Sequence, residues 1–313
     1  MSKYLDPKAD LTFKKIFGEH PNLVLSLLNA LLPLPKGMEI KTVEYLSPEN
    51  VPENPGKKYS IVDVFCTDNY GRHFIVEMQS YWNTEFFART LFNAASMYTK
   101  QLEKGKAFGE LKDVYALCLV NDVKAFPEYG EEYIQEYYMT NTKHTDDIHT
   151  DLSLVFIILP NFRPQSHVEK FMHNLWLKFL TEIDEDTEDA DPELLANEDT
   201  KEALELLRRS AFTDGEMLAY RQYWLDISTE KSSLERERKE GREEGEKIGI
   251  EKGRAEGRAE GRAEGRAEGR AEGLAESRRD TAIAMLKKGM SVELTAEISK
   301  LSVEEVEKLK ATL

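Results

Sequence analysis

Within the stretch IVDVFCTDNYGRHFIVEMQ, residues Ile61 to Gln79, two acids sit inside apolar, strand-like runs: Asp63 and Glu77, with Gln79 two positions beyond. A carboxylate in such a setting is costly unless something neutralises it. Whether the two acids meet depends on register. If Asn69-Tyr70-Gly71 forms a three-residue loop, a type I turn closed by a left-handed Gly, then Asp68 pairs with Arg72, Cys66 with Phe74 and Asp63 with Glu77. Alternation then puts Val62, Val64, Cys66, Phe74, Val76 and Met78 on one apolar face. Ile61, Asp63, Phe65, His73, Ile75, Glu77 and Gln79 share the other. A two-residue loop, Asn69-Tyr70, would pair Asp63 with Val76 instead and separate the acids.

Adjacent carboxylates repel unless one keeps a proton or a cation stands between them. A hard divalent ion is one solution: Mg2+ takes one or two protein carboxylates and fills its shell with water and phosphate oxygens. A salt bridge from Arg72 or Arg89 is the other. Spacing alone leaves both open. Gln79 by itself reads as a polar strand end facing solvent. His73 shares the acids' face, two pairs from Glu77, as a substrate contact or as a packed or solvated side chain. His144, His149, Asp146 and Asp147 are metal-ligand types, but they fall in a stretch that reads as a polar loop between strands. Cys66 and Cys118 lie inside strand-like runs without Cys-x-x-Cys or Cys/His spacing, which argues against structural zinc and a disulfide framework. No Gly-rich phosphate loop follows a strand, and no Ser or Cys nucleophile signature is present.

The elements that must position these residues follow from periodicity. DLTFKKIFGEHPNLVLSLLNALLP has helical spacing broken near Gly18 to Pro21, predicting two short helices ended by Pro33 and Pro35. A strand over Glu39 to Leu46, a loop SPENVPENPGKK and the two acid-bearing strands come next. TEFFARTLFNAASMYTKQLEK predicts a helix over Thr84 to Lys104, capped by Gly105. DVYALCLVN, YIQEYYMTNTK and DLSLVFIILP read as strands, and a helix over Ser166 to Leu180 completes a mixed-sheet α/β sandwich.

With 313 residues, 41% hydrophobic and 10% aromatic, the chain can bury one sizeable core and carry an appendage. Its start, MSKYLDPKAD, has no export-like apolar run, and the longest apolar run, Leu152 to Leu159, is far short of the roughly 20 residues of a membrane span. The expectation is a cytoplasmic protein with no membrane partner. A net charge of −16 weighs against phosphate binding. Residues 1–180, however, carry 19 Lys and Arg against 23 Asp and Glu, while 181–200 hold ten acids and no base. This predicts a near-neutral domain over 1–180 and an acidic linker over 181–200.

A helical segment is expected over 201–240. From Gly241 to Gly273 every fourth residue is Gly, in GRAEGRAEGRAEG-like repeats that occupy 241–276. On a helix this period keeps the Gly residues on one drifting stripe, suited to close approach of a second helix. Each Gly costs about 1 kcal/mol relative to Ala, so the segment is a self-associating helix or a tether. Residues 277–313 predict a small helical module capped at Ser291 and Ser302. Its last helix, SVEEVEKLKA, has three Glu against two Lys, unlike a groove-reading helix.

An acid at the end of one strand followed by Glu-x-Gln on the next, here Asp63 and Glu77-Met78-Gln79, resembles the PD-(D/E)XK nuclease pattern in its Glu-x-Gln variant. More closely, DLTFKKIFG, LVLSLLNALL, IVDVFCTDNYGRHFIVEMQ, FFARTLFNAASMYTKQLEKG and LKDVYALCLVND resemble, in order over Asp6 to Phe126, the Rpn group of recombination-promoting nucleases, also described as PD-(D/E)XK nuclease family transposases. The resemblance implies a restriction-endonuclease-like mixed sheet flanked by helices, with an α-helical C-terminal tail. It implies metal-dependent endonucleolytic hydrolysis of DNA phosphodiesters with Mg2+ or Mn2+. Asp63 and Glu77 would hold the ion, with the Met78 backbone carbonyl and Asp10 as further candidate ligands. The ion would polarise the phosphate and lower the pKa of a water. Gln79 would orient that water, and because an amide carries no charge, Lys14 or Arg89 is the candidate cation. Asp10 has a competing role as a helix N-cap. Two other functions are compatible with the sequence: a self-associating binding or regulatory protein with little catalysis, and a nuclease acting on RNA.

Overall fold

The computed structural model describes residues 3–47, 49–50, 60–102, 105, 107–164 and 171–313. The N-terminal helix α1 (Asp10–Phe13) continues as a π-helical turn over Lys14–Gly18. Helix α2 (Pro21–Leu31) starts on Pro, whose missing N–H costs nothing there. It buries Leu23, Val24, Leu27, Leu28 and Leu31 along one stripe, and ends where Pro33 holds Leu32 extended.

Strands β1 (Val43–Tyr45), β4 (Val64–Asp68), β5 (His73–Gln79), β6 (Val114–Val120), β7 (Ile134–Asn141) and β8 (His144–Ile158) form a mixed sheet in the order β1-β4-β5-β6-β8-β7. The pairs β5–β6 and β6–β8 are parallel and the others antiparallel. A separate short pair joins β2 (Glu49–Asn50) to β3 (Ser60–Ile61). Helix α3 (Thr84–Lys100), with Asn83 as its N-cap, carries the chain from β5 to β6. The loop SPENVPENPGKK lies mostly outside the described residues, as do the first residues of the helix expected from Ser166; helix α4 is described from Phe171 to Glu182.

Each sheet face has its own core. On one, Cys66, Phe74, Val76, Leu117 and Ile157 pack under α2 and α4, with Trp176 fully buried. On the other, Phe65, Ile75, Ala116, Cys118 and Phe156 pack against Phe86, Ala94 and Met97 of α3. The acids therefore face α3. Val62 departs from the alternation: it belongs to the α3-side core, because the chain bends at Val62-Asp63 before β4 begins. The stretch from His144 to His149 is also no loop. It extends β8 into a long hairpin arm with β7.

The acidic stretch is part of the fold. Helices α5 (Pro192–Ala196) and α6 (Glu198–Leu206) follow α4, and Leu194, Ala203, Leu204 and Leu207 are buried in the same core as α2 and the sheet. Lys178 holds Asp191 at 2.9 Å and Glu193 at 2.8 Å. Helix α7 (Asp214–Lys287) begins by packing Met217 and Tyr220 on Leu5 and Ala9. The first compact unit accordingly spans Met1–Ser232, and a second spans Ser233–Leu313.

In the second unit the Gly repeat is helical and exposed throughout. Helices α8 (Val292–Ser299) and α9 (Val303–Ala311) start on Ser291 and Ser302, whose hydroxyls accept from Leu294 N and Glu305 N. Ala282, Thr295 and Val306 are buried. Among the described residues, no helix is long and apolar enough to cross a membrane.

Candidate metal and phosphate site

The hairpin that brings the acids together is set by its turn. Gly71 has φ +78°, and the Asp68 carboxylate accepts from the N–H groups of Tyr70 and Arg72, both at 2.9 Å. The Arg72 guanidinium donates back to Asp68 Oδ2 from Nε at 2.8 Å and Nη2 at 2.6 Å, and to Met38 O at 2.7 Å. Cys66 then faces Phe74 and Val64 faces Val76. Asp63 is the next residue out, at the level of Glu77. A straight strand would meet the Met78 N–H with the backbone of Val62, since hydrogen-bonded positions alternate along the ladder. The bend removes that partner, and Asp63 Oδ2 takes its place at 2.8 Å.

Both acids are held in the acid form's favour. Burial pushes Asp63 up to about 6, against the Met78 N–H and Lys14, which pull it down. Burial pushes Glu77 up to about 7, and the charge of Asp63 adds to the shift. Asp63 keeps 23% of its side chain exposed, whereas Glu77 keeps 7%. Glu77 Oε1 accepts from Asn93 Nδ2 at 3.1 Å, and its Oε2 lies 3.9 Å from Arg89 Nη2. Arg89 Nη2 donates to Gln79 Oε1 at 2.8 Å, with the guanidinium 4.9 Å above the Phe86 ring. Lys14 Nζ sits 2.7 Å from Asp10 and 3.8 Å from Asp63.

The expected site residues therefore share one place. Asp63, Glu77 and Gln79 converge with Arg89, and Lys14 links Asp10 to Asp63. Asp10 is not an N-cap: Ala9 holds that position, and α1 has no side-chain cap. Of the two arginines that could neutralise the acids, Arg72 is bound to Asp68 and only Arg89 approaches Glu77. His73 is stacked on Phe65, with rings 5.6 Å apart, and sits opposite Thr67 at the far end of the hairpin. His149 pairs loosely with Asp147 at 3.6 Å on the exposed arm.

Asn93, which bonds Glu77, and Tyr223, which borders the site, are not visible in the local sequence pattern. Asn93 is one helical turn beyond Arg89 on α3; its only signal is an amide within an apolar helix face. Tyr223 of α7 lies 2.7 Å from Ser80 Oγ and donates to Lys8 O at 3.4 Å, a contact between residues far apart in sequence.

These residues fit a hard divalent cation. They offer two adjacent carboxylates, neither neutralised by a direct ion pair closer than 3.8 Å. The Met78 carbonyl points the same way along the sheet as its N–H, towards Asp63. Among the described residues, no three His, Cys, Asp or Glu side chains gather into a metal-binding group. An ion here would rest on two acids and complete its shell with main-chain, water and substrate oxygens, as Mg2+ does.

Comparison with curated proteins and with solved structures returned no match. Comparison with protein families matched residues 7–236, which include the whole site, both sheet faces and the helices α5 and α6. With an acid just ahead of one strand, Glu-x-Gln closing the next, and a mixed sheet between helices, the chain belongs to the PD-(D/E)XK nuclease family transposases.

Proposed function

We propose that this protein is a metal-dependent endonuclease that hydrolyses DNA phosphodiesters at the site formed by Asp63, Glu77, Gln79, Arg89 and Lys14. The observation that carries the proposal is the side-by-side placement of two largely desolvated carboxylates beneath two cationic side chains. Asp63, Glu77 and the Met78 carbonyl would hold Mg2+ or Mn2+, with Asp10 close by through Lys14. When bound, such an ion polarises the phosphate and supplies a nucleophilic hydroxide at neutral pH. The residues of the chain do the rest. Because Gln79 Oε1 accepts from Arg89, its Nε2 group is the donor left to hold an incoming oxygen. Arg89 supplies the positive charge that an amide at 79 lacks, and its planar fork suits a phosphate. Lys14 can exchange its 3.8 Å contact with Asp63 for a substrate phosphate once a cation satisfies the acids.

Cleavage of both strands calls for two such sites, and the exposed Gly-repeat helix is the element we assign to pairing of chains. The test is nicking of supercoiled DNA by wild type, Asp63→Ala and Glu77→Ala in Mg2+ and in EDTA. Wild type should nick only with the metal, and each variant should lose at least about a hundredfold in rate while keeping its far-ultraviolet spectrum. Equal rates in variants and wild type sink the proposal. Parallel assays on single-stranded DNA and RNA identify the substrate class.

A further inference from the structure

The donor held against Glu77 points to a role for Asn93. The residue is 1% exposed, and its Nδ2 donates to Glu77 Oε1 at 3.1 Å. The α3 packing that fixes it is tight: Ala94 is fully buried, Met97 nearly so, and Thr90 lies against Cys118 at 3.6 Å. Cys118 is the β6 residue in register with Glu77. Helix and strand are thus locked at the height of the acid.

A carboxylate that ligates a cation through one oxygen is usually oriented through the other. Asn93 meets that need without adding charge. An Arg or Lys at 93 would neutralise Glu77 and compete with the ion, whereas an amide N–H fixes Oε1 and leaves Oε2, 3.9 Å from Arg89, for the ion.

We infer that Asn93 is a positioning residue that presents the Glu77 carboxylate to a divalent cation. This inference rests on the proposed metal site. The test is binding of Mn2+ alone, followed by the metal-induced rise in melting temperature and by calorimetry, on the full chain. Asn93→Leu keeps the side-chain volume and removes the donor. Its midpoint for Mn2+ should rise on the order of tenfold, while nicking at saturating metal recovers most of the wild-type rate. Leu204→Ala, a cavity in the core on the other sheet face, should lower the melting temperature and leave the Mn2+ midpoint at the wild-type value. An Asn93→Leu midpoint equal to that of wild type overturns the inference and leaves the metal site standing. A wild-type protein that binds no Mn2+ overturns both. If Asn93→Leu is too unstable to measure, Asn93→Ser, which keeps a shorter donor, should give a midpoint shifted in the same direction. No shift in that variant also counts against the role.

Discussion

At the scale of single residues, Asp63 and Glu77 conflict with their surroundings in the metal-free protein. Their carboxyls titrate near 6 and 7 in the fold, against about 3.9 and 4.3 in an unfolded chain. Between those limits the folded state holds protons that the unfolded state has released. The stability they contribute is therefore complete below pH of about 4 and declines as pH rises through 6 and 7. In EDTA, urea unfolding should give a lower midpoint at pH 8 than at pH 5, and the Asp63→Asn, Glu77→Gln double variant should flatten that difference. Mg2+ at pH 8 should stabilise wild type and leave the double variant unchanged. An unaltered pH slope in the double variant would show that these acids are not the groups in tension. The pairing of the two acids is legible from the sequence because it depends on a local turn, Asn69-Tyr70-Gly71, whose length sets the register. Asn93 and the reach of Lys14 are not legible in the same way. They depend on the rotation of α3 and α1 against the sheet, which is decided by packing of residues such as Phe86 and Phe13 against partners distant in sequence.

At the scale of elements, the two helices before the first strand, the acid-bearing hairpin, α3, the sheet strands and the caps at Ser291 and Ser302 all follow from periodicity and capping chemistry. Two departures have physical causes. Residues 144–149 of β8 are polar and exposed, so they lack the apolar alternation by which strands announce themselves; backbone pairing with β7, with Thr140 Oγ1 donating to Thr145 O and Asp147 O, holds them extended. The segment 181–200 has the composition of a linker, yet Leu194 is buried, and downstream Ala203, Leu204 and Leu207 are buried with it. Charge count conceals the few apolar positions that matter. Burying each of these leucines is worth about 2 kcal/mol, on the order of 6 kcal/mol together, against a domain stability of roughly 5–15. A chain ending at residue 180 should consequently fail to fold or aggregate, whereas one ending at Ser232 should unfold cooperatively. Circular dichroism and chemical denaturation of the two fragments separate the cases; a stably folded 1–180 would refute the assignment of α5 and α6 to the core.

At the scale of the whole molecule, a nuclease-family unit is joined in one chain to an exposed helix with Gly at every fourth residue from 241 to 273. At about 1 kcal/mol per Gly relative to Ala, such a helix gains from a partner that uses the close approach Gly permits. Sedimentation should show the full chain self-associating and residues 1–232 monomeric, with the Mn2+ midpoint equal in both. A monomeric full chain would remove the repeat from the account and leave the site intact. Whether Asp63 and Glu77 jointly hold a cation is read from the anomalous diffraction of crystals grown with Mn2+. One peak is expected within coordination distance of both carboxylates, with Asn93 still bonded to Glu77 Oε1. Absence of any peak, with Arg89 drawn into a direct ion pair with Glu77, would contradict joint binding of the ion.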